Sequence, residues 1–191
     1  MNHVGEFNRE KRLAAWVAGV LVALGIGSLF LIVVAPNAGA AHASAPSRCK
    51  VSQLSVHLGQ SSGAAGSVGQ SVHFTNSSST SCTLSGYPGM LMLNAAGRPL
   101  ATHVRRGASA TVPQIPLHLV TVLPGGRASF DLGYAAQTGY GNLHCPTSST
   151  VEITPPNAFS HFTIAWKLQP YGGTVQHLRC GVINVSPVYA G

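Results

Sequence analysis

Carboxylates, the side chains most often used in acid and base catalysis, are scarce in this sequence. The 191 residues include 11 Lys plus Arg but only 4 Asp plus Glu. Beyond residue 34 the acids are Asp131 and Glu152, so catalysis by paired carboxylates would have to use these two residues. We expect instead that Asp131 pairs with a nearby arginine on a solvent-exposed strand face. We therefore predict a protein that is not an enzyme and has no catalytic residues.

One serine lies in a pattern that many hydrolases share. The run Gly59–Gly63 reads GQSSG and fits G-x-S-x-G, in which a sharp turn between a strand and a helix exposes the nucleophilic serine. The following residues, AAGSVGQ, show no helical pattern and lead directly to another predicted strand. We interpret Gly59–Gly63 as a flexible loop between strands, and a hydrolase stays only as the weakest alternative.

Histidine and methionine raise a second alternative, a copper-type metal-binding protein of the cell envelope. Imidazole and thioether groups suit copper. Met90 and Met92, however, lie two residues apart on one face of a predicted strand, which is more typical of a core. The histidines are spaced singly and are predicted to lie on the surface, so we predict no metal site and no cofactor. The nine histidines are His3, His42, His57, His73, His103, His118, His144, His161 and His177.

Basic residues are the remaining signal of a binding function. Beyond residue 40, eight Lys and Arg against two acids leave a net charge of +6. Arg98, Arg105 and Arg106 lie in one nine-residue stretch together with His103. Because guanidinium groups bind phosphate oxygens in pairs, these arginines are the first candidates for contact with an anionic surface. A charge that serves only solubility is the simpler and preferred interpretation of the excess.

Four cysteines, all beyond residue 34, predict two disulfides. An even number of cysteines in an exported domain favours disulfides, and zinc is disfavoured because the chain has no C-x-x-C pair. Four cysteines permit three pairings. Proximity in the sequence favours Cys49 with Cys82 and Cys145 with Cys180, without excluding the other pairings.

An uncharged segment near the N-terminus predicts contact with the cytoplasmic membrane. Residues Leu13–Val34 form a run of 22 residues without a charge, and a helix of this length measures about 33 Å, enough to cross a hydrocarbon core of about 30 Å. Its basic N-terminal flank predicts that the chain after Val34 faces outward. The segment is either a retained anchor or a signal cleaved after Ala40 or Ala43, where small residues precede the bond.

The elements that carry these side chains are predicted to be strands. Apolar and polar residues alternate in short runs; in His161–Lys167, Phe162, Ile164 and Trp166 share one face. The expected strands are at Leu54–Leu58, Val72–Phe74, Cys82–Leu84, Met90–Leu93, Leu117–Leu123, Ala128–Tyr134, Val151–Ile153, His161–Lys167 and Val182–Val188.

Two glycine-proline runs predict turns. Both Gly86–Gly89 and Pro124–Gly126 suit type II turns, and the second predicts a hairpin between Leu117–Leu123 and Arg127–Tyr134. Together these elements predict an all-β, Ig-like antiparallel β-sandwich of about seven to nine strands behind one N-terminal apolar helix. Residues 1–34 would be the cytoplasmic flank and helix, residues 35–47 a tether, and residues 48–191 the extracytoplasmic domain.

Part of the sequence resembles a known family. The stretches His73–Leu93, with HFTNSSSTSCTLSGYPGMLML, Val122–Tyr134 and Cys145–Ala158, followed by Cys180, resemble an exported actinobacterial family known as domain of unknown function 4232. The resemblance covers about residues 48–188. It implies an extracytoplasmic β-sandwich without an established activity, and it supplies no catalytic residues. Members often carry Trp where this chain has Tyr134, a difference that affects packing.

These observations predict a non-enzymatic module of the cell envelope. Its partner would be an envelope protein, or an anionic glycan or lipid surface, with Arg98, Arg105 and Arg106 as the contact residues. The cytoplasmic membrane is a further partner, through residues 13–34, if that segment is not cleaved. Nucleic acid is excluded as a partner because the domain is predicted to face away from the cytoplasm.

Overall fold

Strands dominate the part of the protein that the structure, a computed structural model, describes. This part comprises residues 44–64, 66–136, 145–167 and 177–191. The predicted N-terminal helix, both cleavage positions and most of the tether lie outside it, as do His3, His42 and His144. Its only helical turn is the 3₁₀ helix Val51–Gln53. None of its helices is long and apolar enough to span a membrane.

Thirteen strands lie within the described residues, more than the seven to nine expected. They are β1 Leu54–Ala64, β2 Ser67–Asn76, β3 Cys82–Leu84, β4 Gly89–Leu93, β5 His103–Arg106, β6 Val120–Val122, β7 Arg127–Ala135, β8 Thr147–Ser148, β9 Thr150–Thr154, β10 Phe162–Ala165, β11 Leu178–Arg179, β12 Val182–Val185 and β13 Tyr189–Ala190.

These strands form four sheets. The largest has the order β1-β2-β7-β12-β5, with β13 also paired to β7; a three-stranded sheet has the order β10-β9-β4. Two small sheets consist of β11-β8 and β3-β6. The prediction of a purely antiparallel arrangement is wrong for β5, which pairs parallel to β12. No strand was expected at β5, because three of its four residues are exposed and it lacks an apolar alternation.

The core lies between the six-stranded and the three-stranded sheet. Phe74 of β2 and Phe130 of β7 stack with ring centroids 5.5 Å apart, and Phe74 also contacts Phe162 of β10 at 6.3 Å. Trp166, which follows β10, is fully buried and meets Tyr134 of β7 edge-on at 6.2 Å. The predicted inward face of His161–Lys167 is therefore confirmed, and Tyr134 packs against its Trp166.

The predicted hairpin between Leu117–Leu123 and Arg127–Tyr134 is wrong, although its turn exists. Gly126 N donates to Leu123 O at 2.8 Å, and Gly125 has a φ of 71°, as a type II turn requires. The strands on either side nevertheless pair elsewhere, β6 with β3 and β7 with β2. Buried Asn76 holds the turn between the sheets by three hydrogen bonds. Its backbone N donates to Gly126 O, and its backbone O accepts from Gly125 N. Its side-chain Nδ2 donates to Val122 O at 3.0 Å.

Two further local predictions need correction. Gly59–Gly63 is not a loop but lies in β1, which pairs with β2 across a bulge between Leu58 and Ser61. Gln70 stabilises this bulge because its Nε2 donates to Gly59 O at 2.9 Å, a bond that no local pattern reveals. In Gly86–Gly89, the positive φ of 113° belongs to Gly86, whereas Gly89 begins β4.

Both preferred disulfides are present. Cys49 is bonded to Cys82 and Cys145 to Cys180. The first bond holds the chain before the 3₁₀ helix beside β3, where Cys49 N also donates to Thr83 O at 2.9 Å. Two disulfides are typical of proteins in an oxidising, extracytoplasmic environment.

Removal of either disulfide should lower the free energy of unfolding. The bonded cysteines are separated by 33 and 35 residues, so the loops restrict the unfolded chain almost equally. We expect Cys49→Ala/Cys82→Ala and, as the matched comparison, Cys145→Ala/Cys180→Ala each to cost about 3 to 4 kcal/mol in urea denaturation. A loss below about 1 kcal/mol for either pair would contradict this estimate.

Candidate functional site

The carboxylate of Asp131 is held by two hydroxyl groups. Ser71 donates to Oδ1 at 2.6 Å, and Tyr189 donates to Oδ2 at 3.0 Å. The predicted pairing of Asp131 with an arginine is therefore wrong: the register of β2 and β7 places Ser71 beside it instead. Burial, followed by the negative charge of Asp131, raises the pKa of Tyr189 to about 12. The phenol consequently stays protonated and keeps donating to Asp131.

Glu152 lies far from Asp131 in the architecture. It belongs to β9 of the three-stranded sheet, where its Oε1 lies 3.3 Å from Nε2 of His161. Its neighbours Val151 and Ile153 are fully buried, so Glu152 faces outward. Asp131 faces outward from the six-stranded sheet by the same alternation. The two carboxylates thus lie on opposite outer faces, with the core between them.

A serine–histidine pair is present but is not accessible. His73 Nδ1 lies 2.7 Å from Ser129 Oγ, and Ser129 is only 1% exposed because Gly191 packs directly over its hydroxyl group. The imidazole also packs on Gly59, where any side chain would collide with it. Burial, followed by the positive charge of Arg127, lowers the pKa of His73. This pair joins β2 to β7 rather than presenting a nucleophile.

The methionines and histidines do not assemble into a metal centre in the described part of the chain. Met90 and Met92 are 7% and 0% exposed and belong to the core, as their spacing suggested. No group of three His, Cys, Asp or Glu side chains able to hold a metal ion occurs among the described residues. The histidines on the surface are His57, His103, His118 and His161, whereas His73 and His177 are half-buried.

Arg105 and Arg106, adjacent in the sequence, lie on opposite faces of β5. Arg105 points outward and pairs in register with Asn184 of β12. Arg106 lies on the side of Val104, with its guanidinium carbon 5.7 Å from the centre of the Tyr87 ring. Both are exposed, but neighbours in a strand point to opposite sides. The structure therefore does not join them into one surface.

Arg98 belongs to a separate turn. It follows β4, and its backbone N donates to the side chain of Asn94 at 2.9 Å. Asn94 also accepts from the backbone N of Ala96 at 2.9 Å, which shapes the turn that leads toward β5. Arg98 is exposed, and of the three predicted contact residues it is the one outside a strand.

A small cavity lies on the outer face of the six-stranded sheet, and its lining includes Asn184, the register partner of Arg105. Its volume is about 230 Å³, and its polar lining comes from Ser67, Ser109, Thr111 and Asn184. The chain after β5 folds back over this face, so that Thr111 occupies the space that a side chain on Gly133 would need. Arg105 is thus adjacent, through Asn184, to a cavity lined by hydroxyl and amide groups.

A second exposed basic region was missed by the sequence analysis. Arg48 and Lys50 flank the buried Cys49 and are both exposed. Lys50 lines a hollow of about 590 Å³ together with Phe159, whose side chain is fully exposed. The two bases on either side of a cysteine could have indicated this region from the sequence. That Phe159 lies beside Lys50 is visible only in the tertiary structure.

The described residues thus form an all-β domain with two disulfides, in which the acids are held locally and the bases are exposed. Residues 49–189 match the family described as Domain of unknown function (DUF4232). The chain belongs to this family, which confirms the resemblance seen in the sequence. No curated protein and no solved structure matches the chain.

Stability should fall as the solution becomes acidic, because of His73. Its pKa in the folded protein lies below the usual 6.5, so the unfolded chain binds this proton more readily. The contribution of His73 to the free energy of unfolding is complete above about pH 6.5 and is lost as the pH falls through the pKa of His73 in the folded protein. We expect the free energy of unfolding to decrease more steeply from pH 7 to pH 5 in the wild type than in His73→Asn.

The variant is a matched control because an asparagine amide can replace Nδ1 as the partner of Ser129. Titration of the His73 ring by NMR measures the pKa of His73 in the folded protein directly. A midpoint at or above 6.5 would be inconsistent with the lowered pKa.

Proposed function

We propose that this protein is a non-enzymatic, extracytoplasmic module of the cell envelope, with an Ig-like β-sandwich that binds an anionic partner. The partner would be a glycan or lipid surface or the acidic face of an envelope protein. One observation carries the proposal: within the described ranges, the exposed bases have no carboxylate partner. Among the described residues, the ion pair is His161–Glu152, whereas the exposed bases are Arg48, Lys50, Arg98, Arg105, Arg106, Arg127 and Lys167.

Unpaired guanidinium groups favour a ligand over a purely solubilising role. Within the described residues, the exposed guanidinium groups other than that of Arg48, which donates to Asn157 O at 3.5 Å, keep their donors for phosphate, sulfate or carboxylate oxygens. Of the three predicted contact residues, Arg105 has the best surroundings, because the adjacent cavity offers hydroxyl and amide groups for further hydrogen bonds. Arg98 and Arg106 would add long-range attraction rather than contacts to the same ligand group.

The positions of the acids support a role without catalysis. Asp131 and Glu152 face outward from different sheets, and each already has hydrogen-bonding or charged partners. Acid and base catalysis by two carboxylates requires them to face one substrate at a separation below about 10 Å. The hydrolase alternative receives no support from Gly59–Gly63, which lies in β1.

The disulfides and the N-terminal sequence support a location outside the cytoplasm. Both bonds suit an oxidising compartment, and residues 13–34 contain no charge. In this proposal the domain is either anchored with its N-terminus inside or released after cleavage.

Binding to an anionic polymer should be dominated by electrostatics. We expect the protein to bind dextran sulfate but not neutral dextran, and the affinity to fall by about tenfold or more between 50 and 500 mM salt. Arg105→Ala should weaken binding by about threefold to tenfold, a cost of about 1 kcal/mol. Isothermal titration calorimetry measures both effects.

Lys167→Ala is the matched control, since it removes one exposed positive charge from another part of the surface. An equal loss in both variants would argue for unspecific attraction instead of a site at Arg105. Binding that is insensitive to salt, or no binding, would refute a charge-driven function.

A further inference from the structure

Four large apolar side chains on the surface have no packing partner that buries them. Leu117, Leu119 and Leu123 are 61%, 66% and 61% exposed, and Phe159 is 104% exposed. Exposed single apolar residues are common, but a cluster of large ones marks a contact surface. Among the described residues these four are the exposed large apolar side chains, whereas most of the others are buried or pack against the core.

The three leucines lie in the segment that contains β6. Val120 and Val122 point inward and are almost completely buried. Because side chains alternate along an extended chain, Leu119 and Leu123 point outward on either side of Thr121. Leu117 precedes β6 and is exposed, as is His118. Around β6 the valines face the core and the flanking leucines face solvent.

Bases lie on the same outward face. Arg48 forms a bridge with Thr83, and Thr83 pairs in register with Thr121, so the three side chains point to the same side. Two strand spacings separate Arg48 from Thr121, about 10 Å. On the other side of Arg48, its Nη1 donates to Asn157 O at 3.5 Å, close to the hollow lined by Lys50 and Phe159.

Neither acid of the domain lies on this face. Asp131 projects from the six-stranded sheet and Glu152 from the three-stranded sheet. Leucine and phenylalanine beside lysine and arginine, without acids, are the composition of surfaces that enter the lipid interface. Lysine is depleted in the centres of protein–protein interfaces, so this composition favours a bilayer over a protein partner.

The connectivity of the chain also favours a bilayer. The 22 uncharged residues 13–34 are followed by 13 residues, 35–47, before the chain joins this face, where Ser47 O accepts from Thr83 N. A chain of 13 residues extends at most about 45 Å. If residues 13–34 cross a membrane, this face is the part of the domain to which the membrane is most directly joined.

We infer that Arg48, Lys50, Leu117, Leu119, Leu123 and Phe159 form a membrane-contact face that binds the anionic surface of a lipid bilayer. The leucines and Phe159 enter the interfacial region, while Arg48 and Lys50 contact lipid phosphates. This face does not include Arg105, but the inference rests on the proposed function in that Arg48 and Lys50 are among the exposed bases that support it. It orients the domain so that a sheet face, rather than a loop, rests on the membrane.

Hydrogen exchange of the full chain in lipid nanodiscs tests this inference. We expect backbone exchange in residues 117–123 and 157–160 to be slower by about threefold or more in discs with about 30% phosphatidylglycerol than in discs of phosphatidylcholine alone. Leu119→Ser/Leu123→Ser/Phe159→Ser and Arg48→Gln/Lys50→Gln should each abolish this difference. Because all five side chains are exposed, the variants should retain both disulfides and the slow exchange of β2 and β7.

Arg105→Ala/Lys167→Ala is the control, and it should retain the difference between the two lipids. Equal exchange in both kinds of disc would overturn the inference. So would protection that increases with protein concentration and is the same in both lipids, because that result would assign the face to a second copy of the chain. Arg105→Ala leaves Arg48 and Lys50 in place, and the two variants of the membrane-contact face leave Arg105 in place, so failure of the site at Arg105 can be told from failure of this face.

Discussion

The pairing of β2 with β7 is the constraint on which the rest of the domain depends. Nine residue pairs are in register between these strands, and side chains alternate between the two faces of the sheet. One face supplies Phe74 and Phe130 to the core. The other face brings Ser71 to Asp131 and His73 to Ser129. A shift of one residue would exchange these faces, so the register maintains the core and the polar network together.

The acidic and the basic side chains of the domain have different surroundings. The acids are few and have local partners, so Asp131 and Glu152 stabilise sheet surfaces and leave no free carboxylate pair. The bases remain exposed and lie on several faces, because β5 presents Arg105 to one side and Arg106 to the other. Two regions combine charge with a further feature: Arg105 with a polar cavity, and Lys50 with exposed apolar groups.

Predictions from local alternation were accurate wherever one strand face enters the core. The inward set that includes Phe162 and Trp166 could be read directly, and the two cysteine pairs followed from proximity. Predictions that required a partner strand were not accurate. The turn at Pro124–Gly126 was expected to make a hairpin, but a turn does not determine which strands pair, and Asn76 directs its two ends into different sheets. Strand β5 was not predicted because it forms by pairing with β12 and has no alternating pattern of its own.

The sequence by itself determined the all-β class of the domain, the expectation of two disulfides with their pairing left open, and the excess of bases, because composition and two-residue periodicity are properties of the chain. Only the tertiary structure decided which side chains meet. It separated Arg105 from Arg106, buried Met92 in the core and placed Arg48 on the same face as Leu119. The physical reason is that most of these contacts join strands distant in the sequence, and the choice among strand partners depends on how all the sheets pack at once.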